Sequence, residues 1–332
     1  MINDVKNGLF NSILLSICVF VGAGFITGAE IWFYFAKFNY NMVFGLIIFG
    51  LLCFVLVIFA QKSQTENIKL KKARFFVSLI SEVLIASAMI SGIFYTARIL
   101  FRSLWVLVDV LAISCLIFVF VRGIKFQKIY NYFIAIFIIF VIIVLFLFNN
   151  KTDDNFTHFI DSGLSFKNAF LSCVFAIIYI FMNIATMRPI IEKFNHNNKR
   201  KNKIAFAGLL SLMLIFLIFT LSLFLWKNPK IANTSMPFLL LFYNYGNLIE
   251  FIFLLGLLMC MVSTAAVCFY GVCDKLNYVN NDDNFNKMIV ILSSLIIAQL
   301  RFKIFVNILY PVVGIFNFLL FAIEIFYSKN YE

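Results

Sequence analysis

Charge is scarce in this chain: Asp, Glu, Lys and Arg make up 13% of its 332 residues, about half the share of an ordinary globular domain. Apolar residues account for 63% and the mean hydropathy is +1.00. Too few polar side chains remain to cover a water-facing surface, which excludes a soluble protein, and the lack of charge excludes a disordered one. Proline is nearly missing, with four, and the 14 glycines follow no period, so collagenous and Pro-rich classes fall away. The seven cysteines (Cys18, Cys53, Cys115, Cys173, Cys260, Cys268 and Cys273) contain no CxxC pair, and the two histidines, His158 and His196, are expected in separate loops. A metal cluster or disulfide framework is therefore not expected, and the thiols read as small packing residues. The 45 phenylalanines, with abundant Ile, Asn, Lys and Tyr, are what an AT-rich genome would encode, so they read as lipid-facing filler.

What the chain does have is long apolar runs. A span needs about 20 apolar residues to cross roughly 30 Å of hydrocarbon. Ten runs meet that ruler, at about 9–36, 41–61, 75–99, 103–121, 129–149, 167–187, 204–226, 247–272, 287–301 and 303–326. The ninth is the weakest, because the Gln299–Lys303 cluster must provide its turn, and eight or nine spans remain the alternative. Apolar sequence continues from the first glycines through Ile31–Phe35, too long for a secretory h-region, so this run reads as a retained span. With the N-terminus inside, cytoplasmic connections hold 18 Lys and Arg and outer ones hold nine. That bias places both termini in the cytoplasm of a cell with a cytoplasmic (inner) membrane. It also accounts for the net charge of +12 through anionic lipid headgroups, without nucleic acid.

The acidic connection Asn149–Lys167 divides the chain into five spans and five spans, repeat 1 at about 8–149 and repeat 2 at about 167–327. An odd number per half makes the second half enter from the opposite side, the parity of an inverted-repeat transporter. The expected fold is thus all-α, in a single membrane domain.

The densest signal is Val21-Gly22-Ala23-Gly24-Phe25-Ile26-Thr27-Gly28-Ala29-Glu30-Ile31. Each glycine costs about 1 kcal/mol of helix propensity relative to alanine. Unwinding here would free main-chain groups near mid-membrane, tolerated only where they face protein, water or a ligand. Gly24-x-x-x-Gly28 is equally a helix-packing spacing with no break. Glu30 weighs against that reading, since a carboxylate facing lipid costs at least about 2.5 kcal/mol on insertion scales.

Residues 21–35 resemble the signature of the YkvI-type membrane proteins, a branch of the amino acid–polyamine–organocation (APC) superfamily. The resemblance rests on Gly22-Ala23-Gly24-Phe25, a small residue, Gly28, a variable residue and Glu30-Ile31. It implies a LeuT-type 5+5 fold with discontinuous helices 1 and 6 around a central site. It also makes Met261-Val262-Ser263-Thr264 informative, because sodium-coupled members place a Ser/Thr pair on helix eight against carbonyls of helix one, here near Cys18 and Val21. Hydroxyl and carbonyl oxygens suit a hard cation. Val21 and Ser263 lie roughly 20 and 16 Å from the cytoplasmic edge at 1.5 Å per residue, so they can meet. The alternative is that both hydroxyls bond their own helix.

In span six, Tyr179 and Asn183 lie one turn apart, followed by Thr186, Arg188 and Pro189, which suits either a break or a simple helix end. Ser87, Ser91, Gly92 and Tyr95 form a small polar stripe in span three, read mainly as packing. Glu82 and Asp109 are candidate proton carriers, with Arg98 or Arg102 available to neutralise Asp109. Pro311 and Gly314 are expected to kink span ten as a gate.

The expected function is a secondary transporter moving a small organic solute, an amino acid or related amine, by alternating access. Gly22, Ala23, Gly24, Phe25, Gly28, Tyr95, Tyr179 and Asn183 would bind solute. Cys18, Val21, Ser263 and Thr264 would bind sodium, the only ion or cofactor expected. A proton carried by Glu30 or Glu82 is the alternative coupling, and a non-transporting sensor or assembly protein is the rival role. An enzyme is disfavoured, because no nucleophile motif or phosphate loop is present.

Overall fold

A computed structural model of the chain describes residues 9–59, 68–100, 104–122, 124–148, 163–197, 200–226, 234–243, 246–277 and 282–329. Most of the acidic connection, with His158, lies outside these residues, as do Lys6, Lys62 and Arg102. All regular structure in the described residues is helical. Short apolar pieces come first: α1 (Leu9–Phe20), α2 (Ala23–Ile26), α3 (Ala29–Tyr34) and a 3-10 segment Ala36–Asn41. Longer helices follow as α4 (Met42–Phe59), α5 (Ile68–Leu100), α6 (Trp105–Arg122), α7 (Ile124–Phe148), α8 (Phe166–Asn197) and α9 (Arg200–Trp226). The chain ends with α10 (Pro237–Tyr243), α11 (Asn247–Asn277), α12 (Asp283–Ile297), α13 (Phe302–Ile304), a π-helical turn Phe305–Leu309 and α14 (Tyr310–Lys329).

Among the described residues, six stretches are long and apolar enough to cross a membrane: Ala29–Phe59, Lys72–Ile99, Phe166–Asn183, Arg200–Trp226, Asn247–Asn277 and Phe302–Glu324. Trp105–Phe118 and Ile136–Leu147 are apolar but shorter. These helices turn apolar side chains outward, including Val121 on α6, Ile136 and Leu147 on α7, and Leu212 and Phe216 on α9, each more than 60% exposed. Water-soluble monomers do not expose apolar surface on that scale. The protein is a helical membrane protein. The weak ninth run is α12, whose 15 residues cover roughly 22 Å, short of the hydrocarbon thickness. The chain turns after it at 298–301, as the polar Gln299–Lys303 cluster requires.

Two helices organise the interior. α8 packs against α1, α4 and α14, while α11 packs against α5, α6 and α7. Polar side chains fix the first group: Asn195 donates to the Val57 carbonyl at 2.7 Å, and Asn41 accepts from the Ser165 N–H at 3.0 Å. Ion pairs fix other contacts: Arg74 on α5 pairs with Glu324 on α14, and Lys275 on α11 with Glu82 on α5 at 2.6 Å.

One expectation is corrected here. α8 runs unbroken through Pro189, so the second discontinuous helix is not seen. A single proline removes one N–H to carbonyl bond, and packed neighbours tolerate that loss within a membrane helix.

Candidate functional site

The first run is broken twice. Val21 N–H bonds back into α1, to the Ile17 carbonyl at 2.7 Å. Gly22 then starts a new turn, its carbonyl accepting from Phe25 N–H at 3.0 Å and Ile26 N–H at 3.4 Å. The second break falls at Gly28, whose φ of +80° is left-handed backbone that side chains with a Cβ disfavour. Thr27 bridges this break: its hydroxyl donates to the Gly24 carbonyl at 2.7 Å and accepts from Ala29 N–H at 3.3 Å. The Thr27 carbonyl in turn accepts from Phe238 N–H at 3.0 Å, which ties the break to α10.

Beside the first break lies a cavity that joins the broken run to α8 and α11. The sequence candidates Gly22, Gly24, Glu30, Asn183, Ser263 and Thr264 all line it. Glu30 is 5% exposed, and its Oε2 accepts a hydrogen bond from the Tyr179 hydroxyl at 3.0 Å. A Cβ on Gly24 would overlap the Glu30 carboxylate, so the glycine makes the notch in which that carboxylate sits. Tyr179 is held by rings on several sides: Tyr34, Phe35, Phe20 and Phe49 at centroid distances of 4.7, 5.3, 5.5 and 6.2 Å. Such packing fixes the hydroxyl on the carboxylate. Asn183 donates from its side-chain amide to the Tyr179 carbonyl at 3.1 Å and lines the cavity.

Thr264 faces the break, 3.5 Å from where a Gly22 Cβ would stand. Its hydroxyl donates to the Cys260 carbonyl at 2.9 Å, the intrahelical bond foreseen as the alternative, and its oxygen lone pairs remain able to accept. Ser263 is buried at the same wall.

Other candidates stand elsewhere. Phe25 is buried against Phe20, Val21 is buried in the core, and Gly28 is closed over by the Phe238 ring. Tyr95 packs against the core from α5 rather than lining the cavity, so its solute role is not supported. The stripe around it is packing: a Gly92 Cβ would press on Met261, and Ser91 donates to the Leu300 carbonyl at 2.6 Å. Glu82 is engaged by Lys275 and is not part of the cavity wall. Arg98 lies over the Trp105 ring at 5.0 Å, and no ion pair between it and Asp109 forms among the described residues. The Cys18 and Ala23 side chains lie outside the described residues.

Nothing among protein-family models or curated proteins matches this chain. The site must therefore be read from its own chemistry. Sequence reasoning missed the apolar wall, in which Ile85, Met89, Ile134, Met182 and Val267 take part, with Tyr310 beside them. These residues carry no polar signal that separates them from ordinary core; only the packing brings them to one cavity. No cluster of three or more His, Cys, Asp or Glu side chains suited to a metal occurs among the described residues.

Proposed function

We propose that the protein is a secondary transporter of a small organic solute, an amino acid or related amine, working by alternating access. The observation that carries this reading is a cavity whose wall includes a twice-broken helix and a buried carboxylate. Main chain left unpaired inside a membrane is tolerated where it lines a cavity, and an ionisable group there marks a solute or ion path. Within this proposal the ten runs form a LeuT-type 5+5 arrangement akin to the YkvI-type branch of the APC superfamily, in the cytoplasmic membrane, with both termini inside.

Coupling to sodium is supported by the approach of Thr264 to Gly22 and by Ser263 beside it, which would join the Cys18 and Val21 carbonyls as hard oxygen donors. Proton coupling is a second reading favoured by a specific observation: Glu30 has no cationic partner among the described residues. It places the proton on Glu30 rather than Glu82, which has Lys275.

Uptake of radiolabelled amino acids and amines into proteoliposomes, with sodium or proton gradients imposed separately, tests the proposal. Concentrative uptake under one gradient is expected. Sodium-driven uptake abolished by Ser263→Ala with Thr264→Ala supports the sodium site, whereas proton-driven uptake that survives this pair removes it. No flux of any solute under either gradient overturns the transporter reading in favour of a sensor or assembly role.

A further inference from the structure

Among the described residues lining the cavity, one side chain can take a full charge near neutral pH, and it is an acid. Among the described lining residues Glu30 is the only acid, and no Lys, Arg or His joins it. One carboxylate oxygen takes the Tyr179 hydroxyl; the other accepts no hydrogen bond from any described residue. An isolated buried carboxylate is costly unless a partner neutralises it. No described residue supplies such a partner, so the carboxyl is neutralised either by a proton or by a cation that enters the cavity.

Position matters as much as charge. The space over the Gly24 Cα, the gap that the broken main chain leaves open, is filled by the Glu30 carboxylate itself. A ligand carboxylate entering the cavity would meet a like charge with no counter-ion beside it. An ammonium group would instead form a charge-assisted hydrogen bond with the free oxygen. Ile85, Met89, Met182 and Val267 then offer an apolar wall for the rest of the ligand.

We propose that the cavity binds a compact primary amine as its ammonium ion, with an apolar body and no carboxylate, and rejects the corresponding zwitterionic amino acid. This inference rests on the cavity being the solute site of the carrier proposed above, and it narrows that carrier's cargo to organic cations.

The test is binding by the purified full-length protein, measured by thermal shift and calorimetry, with ligands of one shape and different charge. Isopentylamine, leucine, 4-methylpentanoate and 3-methylbutan-1-ol share an apolar body, and phenethylamine with phenylalanine provides a larger pair. At least one amine is expected to bind tenfold or more tightly than its zwitterion and its neutral or anionic counterparts, and Glu30→Gln is expected to erase that preference. Tyr179→Phe, which keeps the acid, should retain the preference for cations, so the inference remains testable if Glu30→Gln fails to fold. Leucine or phenylalanine binding as well as its amine, or no amine binding better than the alcohol, overturns it. Amine binding without flux in proteoliposomes would sink the carrier reading and leave this inference standing; zwitterion flux would do the reverse.

Discussion

The run from Leu9 to Tyr34 and helix α8 border the same cavity, yet the first is broken twice and the second continues for 32 residues. Both carry residues that disfavour a helix, so helix-breaking composition alone does not decide. The first run has three glycines within seven residues, one held at φ +80°, and Thr27 to satisfy the main chain left open. α8 has one proline, and its polar side chains bond back along the helix: Asn183 to the Tyr179 carbonyl and Thr186 to the Asn183 carbonyl at 2.7 Å. A break persists where neighbouring groups replace the lost bonds. Isolated helix breakers are absorbed.

This contrast can be attacked by substitution. The largest effect is expected at Gly24→Ala, where the new methyl group must displace a buried carboxylate; a loss of about 3 kcal/mol in stability follows from overpacking and the disturbed charge, read as a sharp fall in folded yield and Tm. Next comes Gly28→Ala, which meets both a left-handed backbone and the Phe238 ring at 2.9 Å. A cost of about 2 kcal/mol is expected there by denaturation in detergent. Tyr179→Phe removes one hydrogen bond to a carboxylate and should cost about 2 kcal/mol or less, with solute binding weakened but not abolished.

Glu82 and Glu30, two of the carboxylates within the spans, extend the same comparison. Glu82→Gln removes the partner of Lys275 in a largely buried pair that ties α5 to α11 and should cost about 2 kcal/mol of stability, leaving solute binding intact. Glu30→Gln should instead erase the preference for a cationic ligand. The smallest functional effect belongs to Pro189→Ala, since α8 does not use the proline to open: uptake should stay within about twofold of the parent. Strong inactivation by Pro189→Ala would mean that α8 does break during the cycle.

Much of this was legible in the sequence because it rests on short-range chemistry. The glycine trio and Glu30 announced a break with an inward carboxylate, and Ser263 and Thr264 announced the facing wall. The polar Gln299–Lys303 cluster announced the turn after α12. What was not legible depends on partners distant along the chain. Tyr95 carries the same hydroxyl as Tyr179, but only the latter falls within reach of Glu30, 149 positions away. Nor does Pro189 reveal from its own position that α8 stays whole, because that outcome is set by α4, α14 and α1 packed around it. The apolar wall of Met89, Met182 and Ile85 is indistinguishable in sequence from any membrane core.

Amide hydrogen exchange on the detergent-solubilised protein tests most directly whether the opened main chain meets water. Amides of Gly22 to Gly28 should exchange at least a hundredfold faster than those of Tyr179 to Met187, a stretch of intact helix whose Met182, Asn183 and Thr186 line the same cavity. Equal, strong protection of both segments would mean that the first run is an ordinary helix against lipid or protein, and the solvated break, with everything built on it, would be wrong.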